Sequence, residues 1–380
     1  MAALKLGDHI NAARLFESAA ALDPKAAALW RNAATAYRAM DDAQGERRAL
    51  EGALGADQRD FLAWLRKAEL HQRFEQEAEA LAAWQAALAL ADQAERLPEA
   101  LTGPLAAGRT FVAGAKARIR AAADAALAEV GTGLNEGEAR RLRAMIEHAH
   151  GARPIYLNQC AGLHYPFLPA DEFFDRAHFP WLADFEASAP AIRAELEALL
   201  AGPGDALRPY VRMDKGTPDN LWSGLDNSLA WGACFLWEYG EANGPVIERC
   251  PLTAAALAAI PGAAIPERAP NAFFSLLRPR TRIPAHTGVT NTRAIIHLPL
   301  IVPRGCGFRV GGETREWVEG TAFAFDDTIE HEAWNDSDEL RAVLICDVWN
   351  PHLSEREREA ILAYYAAADA TGFNPARTGD

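Results

Sequence analysis

Phe308-Arg-Val-Gly-Gly-Glu-Thr-Arg-Glu-Trp317 holds two short runs of β-forming residues joined at Gly311-Gly312, the local pattern of a hairpin. The same texture continues on both sides. Trp231 to Tyr239, Ala272 to Leu277, Arg293 to Leu300, Thr321 to Phe325 and Arg341 to Trp349 are short runs rich in aromatic and β-branched residues, punctuated by Gly and Pro. Many short strands with turn residues and no helices between them predict an antiparallel double-sheet barrel of the jelly-roll kind, a double-stranded β-helix. Helices frame it at Ala189 to Leu200 and at Ser354 to Ala368, where Ser354 is the N-cap and acidic residues fill the first turn.

Upstream the period changes. Trp30 and Trp64 lie 34 residues apart, as do Asp23 and Asp57, while Ala19, Ala53 and Ala87 take the same step and Phe16, Leu50 and Trp84 complete another register. Small residues where helices would cross, with large ones between them, resemble the tetratricopeptide repeat over about residues 1 to 92. Three imperfect units are read, with Glu46 and Lys67 where small residues are expected and Gln58 where the repeat ends in proline. Residues 93 to 150 keep helical spacing without that register. At Arg153-Pro-Ile-Tyr156 proline, glycine and aromatics rise. The expected organisation is therefore multidomain α+β, with a helical repeat domain over 1–150 and the jelly roll over 151–380.

The length of 380 residues suits two such domains, and 50% hydrophobic with 24% charged residues is an ordinary globular composition. A net charge of −14 argues against a phosphate-tracking surface, so nucleic acid is not an expected partner. The five cysteines are scattered, with no CxxC pair, which suggests a reducing compartment and no structural zinc. No window approaches the roughly 18 apolar residues of a membrane span. The reading is a cytoplasmic protein with no membrane partner.

Of ten histidines, His286, His297 and His331 fall in the predicted barrel. Neutral imidazole is a common metal ligand, and a barrel mouth can bring together histidines distant in sequence. Arg341 follows His331 by ten residues at the head of an apolar strand. A guanidinium inside a barrel needs an anion: an ion pair with Asp326 or Asp327 is one answer, and a bound carboxylate is the other.

The segments His286-Thr-Gly-Val-Thr-Asn-Thr-Arg293 with His297, then Phe325-Asp-Asp-Thr-Ile-Glu-His331-Glu, Arg341 and Asp347-Val-Trp-Asn-Pro351 resemble the catalytic domain of the aspartyl/asparaginyl β-hydroxylases over about residues 205 to 353. That resemblance implies an Fe(II)- and 2-oxoglutarate-dependent dioxygenase using O₂, with His286 and His331 as iron ligands. It implies Arg341 and Ser275 on the far carboxylate of 2-oxoglutarate, His297 on the near one, and Arg293 facing an acidic substrate side chain. Gly288 stands where most 2-oxoglutarate oxygenases place a metal-binding carboxylate, and Ile295 stands where the family has an arginine. Asp326 and Asp327 are read as orienting the loop before His331. The implied reaction is β-hydroxylation of an Asp/Asn-type residue in a peptide or protein, held in part by the helical repeats. The alternatives are the same chemistry on a free amino acid, natural-product precursor or lipid; a cupin-like metal enzyme or a halogenase; and a repeat-based binding module with an inactive barrel.

Overall fold

Helices in the N-terminal part of the chain start at His9, Ala43 and Glu77, and the intervening ones at Ala27 and Phe61, so each series advances by 34 residues. They belong to a computed structural model that describes residues 2–94, 96–130 and 133–372 and divides into two units, Met1–His150 and Gly151–Asp380.

In the first unit α1 (Ala2–Lys5) precedes α2 (His9–Leu22), α3 (Ala27–Ala39), α4 (Ala43–Ala56), α5 (Phe61–Arg73) and α6 (Glu77–Asp92). The repeat is written in the caps as well as in the core. Asp8 and Asp42, one period apart, accept the backbone N–H of Asn11 and Gly45 at the starts of α2 and α4, while Asp23 and Asp57 end those helices. Phe16, Leu50 and Trp84 are buried, and alanines such as Ala33, Ala53 and Ala68 let the helices approach closely. Gly45 and Gly52 lie directly under the rings of Tyr37 and Trp30, where a Cβ would overlap them. Glu46, buried where a small residue is expected, is neutralised by Arg73. Beyond the repeats, α7 (Thr102–Val130) and α8 (Glu136–Ala149) leave the 34-residue step; Leu105 and Val112 of α7, with Leu101 from the turn just before it, lie near Trp84 and Leu88 of α6.

In the second unit the larger sheet contains β1 (Arg208–Pro209), β2 (Trp231–Glu238), β3 (Glu241–Ala242), β4 (Ala272–Leu277), β6 (Arg293–Ile301), β9 (Phe323–Phe325) and β11 (Arg341–Trp349). Its order is β1-β2-β4-β11-β6-β9, with β3 on β2. The smaller sheet orders β5 (Thr281–His286), β10 (His331–Asn335), β7 (Cys306–Val310) and β8 (Glu313–Arg315) as β5-β10-β7-β8. All strand pairs are antiparallel, and the Gly311-Gly312 hairpin joins β7 to β8, giving the double-sheet jelly roll.

Strand alternation sorts the side chains of the larger sheet. Even-numbered residues such as Cys234, Phe274, Ile296 and Leu344 join the core that also buries α9 (Leu182–Ala187) and α10 (Ala189–Leu200). Odd-numbered ones, among them Trp231, Ser275, His297 and Arg341, line a cavity between the sheets.

One expectation is corrected. The run between β2 and β4 is not free of helices: α11 (Gly244–Arg249) and α12 (Pro251–Ala258) lie there, each with proline in its first turn and α12 carrying an alanine run of high helix propensity. The chain closes with α13 (Glu355–Ala370), where Ser354 and Glu357 form a reciprocal capping box. Among the described residues no helix is long and apolar enough to cross a membrane.

Candidate active site

Between the two sheets lies a cavity of about 1010 Å³. His286 ends β5 and His331 begins β10, and they are direct partners across that strand pair, with ring centroids 4.1 Å apart. Each ring is oriented from behind. His286 Nδ1–H donates to Pro284 O (2.7 Å) and His331 Nδ1–H donates to Ile329 O (3.0 Å). A carbonyl can only accept, so both rings carry their proton on Nδ1 and keep a lone pair on Nε2. Burial, reinforced by the neighbouring His286, lowers the pKa of His331 to about 3, and burial also lowers that of His286. Both are neutral near pH 7, the state a metal requires. Trp222, from the loop before β2, packs edge-on against His286 at 4.9 Å.

Arg341 also lines the cavity and is buried, yet among the described residues it touches no carboxylate. Its Nη1 donates to Ser275 Oγ (3.2 Å) and Ser275 O (3.3 Å), its face lies 4.8 Å from the Trp317 ring centroid, and its Nε has no partner. Burial pulls its pKa from 12.5 down to about 10. The ion pair with Asp326 or Asp327 that the sequence left open is absent among the described contacts. Trp231 Nε1 donates to the same Ser275 hydroxyl at 3.1 Å. His297 sits one strand away on β6, packed on Phe308 and Phe325, with Trp317 Nε1 donating to its Nδ1 at 3.4 Å. That bond leaves Nε2–H of His297 as a donor.

Arg293, Ile295 and His297 alternate along β6 and all face the cavity. Arg293 was expected to await an acidic substrate group, but Nη1 of its guanidinium pairs with buried Asp347 of β11. The strand register, with Trp349 opposite Arg293 and Asp347 opposite Ile295, brings the two together. Asp326 accepts from Thr328 N (3.0 Å), Thr328 Oγ1 (2.6 Å) and Asn158 Nδ2 (2.7 Å), so it organises the loop before His331. Asp327 fills the space in which a side chain at position 288 would stand, and burial raises its pKa to about 7. Among the described residues no group of three or more His, Cys, Asp and Glu side chains is placed to hold a metal. Trp222, Trp231 and Trp317 were not singled out as site residues from sequence, since aromatic residues at irregular spacing read as core, and Asp347 stood in the motif without an assigned role.

Residues 186–351 match the family described as Aspartyl/Asparaginyl beta-hydroxylase. The ornithine lipid ester-linked acyl 2-hydroxylase of Rhizobium tropici is 37% identical over 192 residues, 50% of this chain and 64% of that protein. The aspartyl/asparaginyl beta-hydroxylase of Homo sapiens is 36% identical over 134 residues, 35% of this chain and 18% of its own length. Aspartate beta-hydroxylase domain-containing protein 2 of Rattus norvegicus is 32% identical over 200 residues, 52% of this chain and 56% of its own. The matches thus span less than two thirds of each relative.

Proposed function

Residues 186–351 match the aspartyl/asparaginyl β-hydroxylase family, and on that similarity we propose that the protein is an Fe(II)- and 2-oxoglutarate-dependent hydroxylase. His286 and His331 would hold the iron through Nε2. Arg341 and Ser275 would take the far carboxylate of 2-oxoglutarate, and His297 Nε2–H the near one. The observation that carries this reading is Arg341, a buried cation with an unpartnered Nε and no carboxylate beside it. A buried charge without a counter-ion is costly, and a dicarboxylate would relieve that cost with two charge-assisted bonds.

Bound iron and 2-oxoglutarate would activate O₂ and supply the oxidant for an unactivated C–H bond. The chain's own part is positional. Pro284 O and Ile329 O fix the imidazole tautomers, Trp231 and Arg341 hold the Ser275 hydroxyl, and Phe308, Trp317 and Phe325 give the cavity an apolar lining.

The substrate carbon we infer is a methylene next to a carboxyl-derived carbon. The β carbon of an Asp or Asn residue and carbon 2 of an acyl chain, the positions in the relatives' names, share that chemistry. A peptide or protein Asp/Asn residue, gathered in part by the helical repeats, is the first reading. An acyl chain is the second, favoured by one feature of the cavity: Tyr210 stacks on Trp231 at 3.9 Å and Phe235 on Phe273 at 4.8 Å, forming an aromatic wall, while Nη1 of Arg293 is already engaged by Asp347. The test is a mass-spectrometric assay with Fe(II), 2-oxoglutarate and parallel panels of Asp/Asn peptides and acyl esters, watching for addition of one oxygen. Consumption of 2-oxoglutarate with neither panel hydroxylated would reject both substrate readings.

A further inference from the structure

Residues 157–165 lie ahead of the family-matching segment and have no regular secondary structure, yet they are bonded to both loops that flank the histidine pair. Asn158 Nδ2 donates to Asp326 Oδ2 (2.7 Å) and to Thr328 Oγ1 (3.0 Å), and Gln159 N donates to Thr328 O (2.8 Å). Thr328 stands three residues before His331. On the other loop, Ala161 N donates to Gly288 O (3.1 Å) and Gly162 N to Val289 O (2.8 Å), just after His286. Tyr165 N donates to Asn291 Oδ1 (2.7 Å), and Asn291 Nδ2 returns a bond to Tyr165 O (2.9 Å). Gly288 N donates to Asp327 O (2.6 Å), which closes the lamination of strap and loops.

We propose that residues 157–165 are a positioning strap for the histidine pair, acting through Asn158 on the loop before His331 and through Gly162 on the loop after His286. The inference rests on those histidines being the metal ligands. Two imidazoles hold a metal only while their separation is fixed, and the strap ties the loop of one to the loop of the other. Asp326 is fully buried, so removing the Asn158 amide strips a hydrogen bond from a carboxylate that water cannot reach. Gly162 approaches so closely that a Cβ would lie 2.9 Å from Val289 Cγ1 and 3.2 Å from Val289 O. A methyl there crowds Val289 and obliges strap and loop to give by a few tenths of an ångström, with the Asn158 side chain unchanged. Gly162 and Leu163 also line the cavity, so the same segment forms part of its wall.

The test titrates the full chain with Co(II) alone, under argon, following the visible absorption whose intensity reports coordination geometry. Wild type binds and His286→Ala does not, which checks the ligand assignment separately. Asn158→Ala and Gly162→Ala each weaken Co(II) binding by about ten-fold or more, the range for partners that orient metal ligands, and alter the band shape. Their thermal midpoints fall by no more than the few degrees that one lost buried hydrogen bond costs, and their KM for 2-oxoglutarate is little changed, because Arg341 and Ser275 are not bonded to the strap. Asn158→Gln, which keeps an amide donor, recovers part of the affinity. Wild-type Co(II) spectra and affinities in both Asn158→Ala and Gly162→Ala overturn the proposal, as does an affinity loss in both that merely tracks a fall in thermal midpoint. Unaltered Co(II) binding by His286→Ala overturns the ligand assignment and the strap with it.

Discussion

Replacing Arg341 by Met should move stability and cosubstrate affinity in opposite directions. Met keeps most of the apolar stem while removing the charge. The folded protein holds that charge with a pKa reduced from 12.5 to about 10, which at 1.36 kcal/mol per unit is a penalty on the order of 3 kcal/mol. Both folded and unfolded forms are protonated at pH 7, so the penalty is present there in full. Against it stand the bonds to Ser275, worth about 1 to 2 kcal/mol. The net effect is a ligand-free variant as stable as wild type or melting a few degrees higher. Loss of the clamp on a carboxylate costs about 2 to 5 kcal/mol in affinity. At about 1.4 kcal/mol per decade that is a factor of roughly thirty to a few thousand in Kd. Differential scanning fluorimetry with Mn(II), with and without 2-oxoglutarate, reads both effects. At a hundred times its Kd, a ligand adds about 2.7 kcal/mol to wild type. In Arg341→Met at the same concentration that added stability should fall to about 0.9 kcal/mol for a thirty-fold loss of affinity and to nearly nothing for a loss of a few thousand-fold. The reasoning fails if the variant keeps the 2-oxoglutarate shift, or if it melts far below wild type, as loss of a structural ion pair would require.

Other outcomes follow from the same geometry. His286→Ala or His331→Ala abolishes metal binding measured by calorimetry, whereas Asp326→Ala and Asp327→Ala still bind; full turnover by His331→Ala would refute the assignment. Gly288→Asp gives no gain in hydroxylation and lowers the melting midpoint, because the new side chain meets the Asp327 carboxylate, and adding Asp327→Ala restores the midpoint; a gain in activity from the single variant contradicts this. In chloride or bromide, mass spectrometry of wild-type products shows no halogen incorporation. In the metal-free protein the folded-state pKa of His331, about 3, lies below the unfolded value near 6.5, so the unfolded chain binds the extra proton between those pH values. That contribution is present above the window and is lost as pH falls through it. His331→Gln therefore flattens the pH dependence of unfolding by up to about 1.4 kcal/mol per pH unit, and an unchanged slope by urea denaturation contradicts the buried neutral imidazole.

The parts of the fold most legible in the sequence are those where burial enforces a period. The 34-residue step became the helix starts, and β4, α10 and β11 have the bounds that their apolar runs suggest. Strands β5 and β10 escaped because Arg282, Pro284, Glu332 and Asn335 dilute the apolar alternation, and they are the strands that carry the two histidines proposed to hold the metal. The helices α11 and α12 were missed because an alanine- and proline-rich segment carries too weak a period. In the site, the motif residues were readable one by one, and the structure brings His286, His331, Ser275, His297, Arg293 and Arg341 to one cavity. Their partners were not readable. The pairing of Arg293 with Asp347 depends on antiparallel register between β6 and β11, which no local pattern states.

An anaerobic spectroscopic titration tests the central claim most directly. Chelation of Fe(II) by a 2-oxo acid gives a visible charge-transfer absorption that neither component shows alone, and its formation requires no substrate. Wild type should develop this band with Fe(II) and 2-oxoglutarate together; His286→Ala should lack it at any concentration, and Arg341→Met should lack it until far more 2-oxoglutarate is added. Iron that binds to wild type without any band at saturating 2-oxoglutarate would contradict the account.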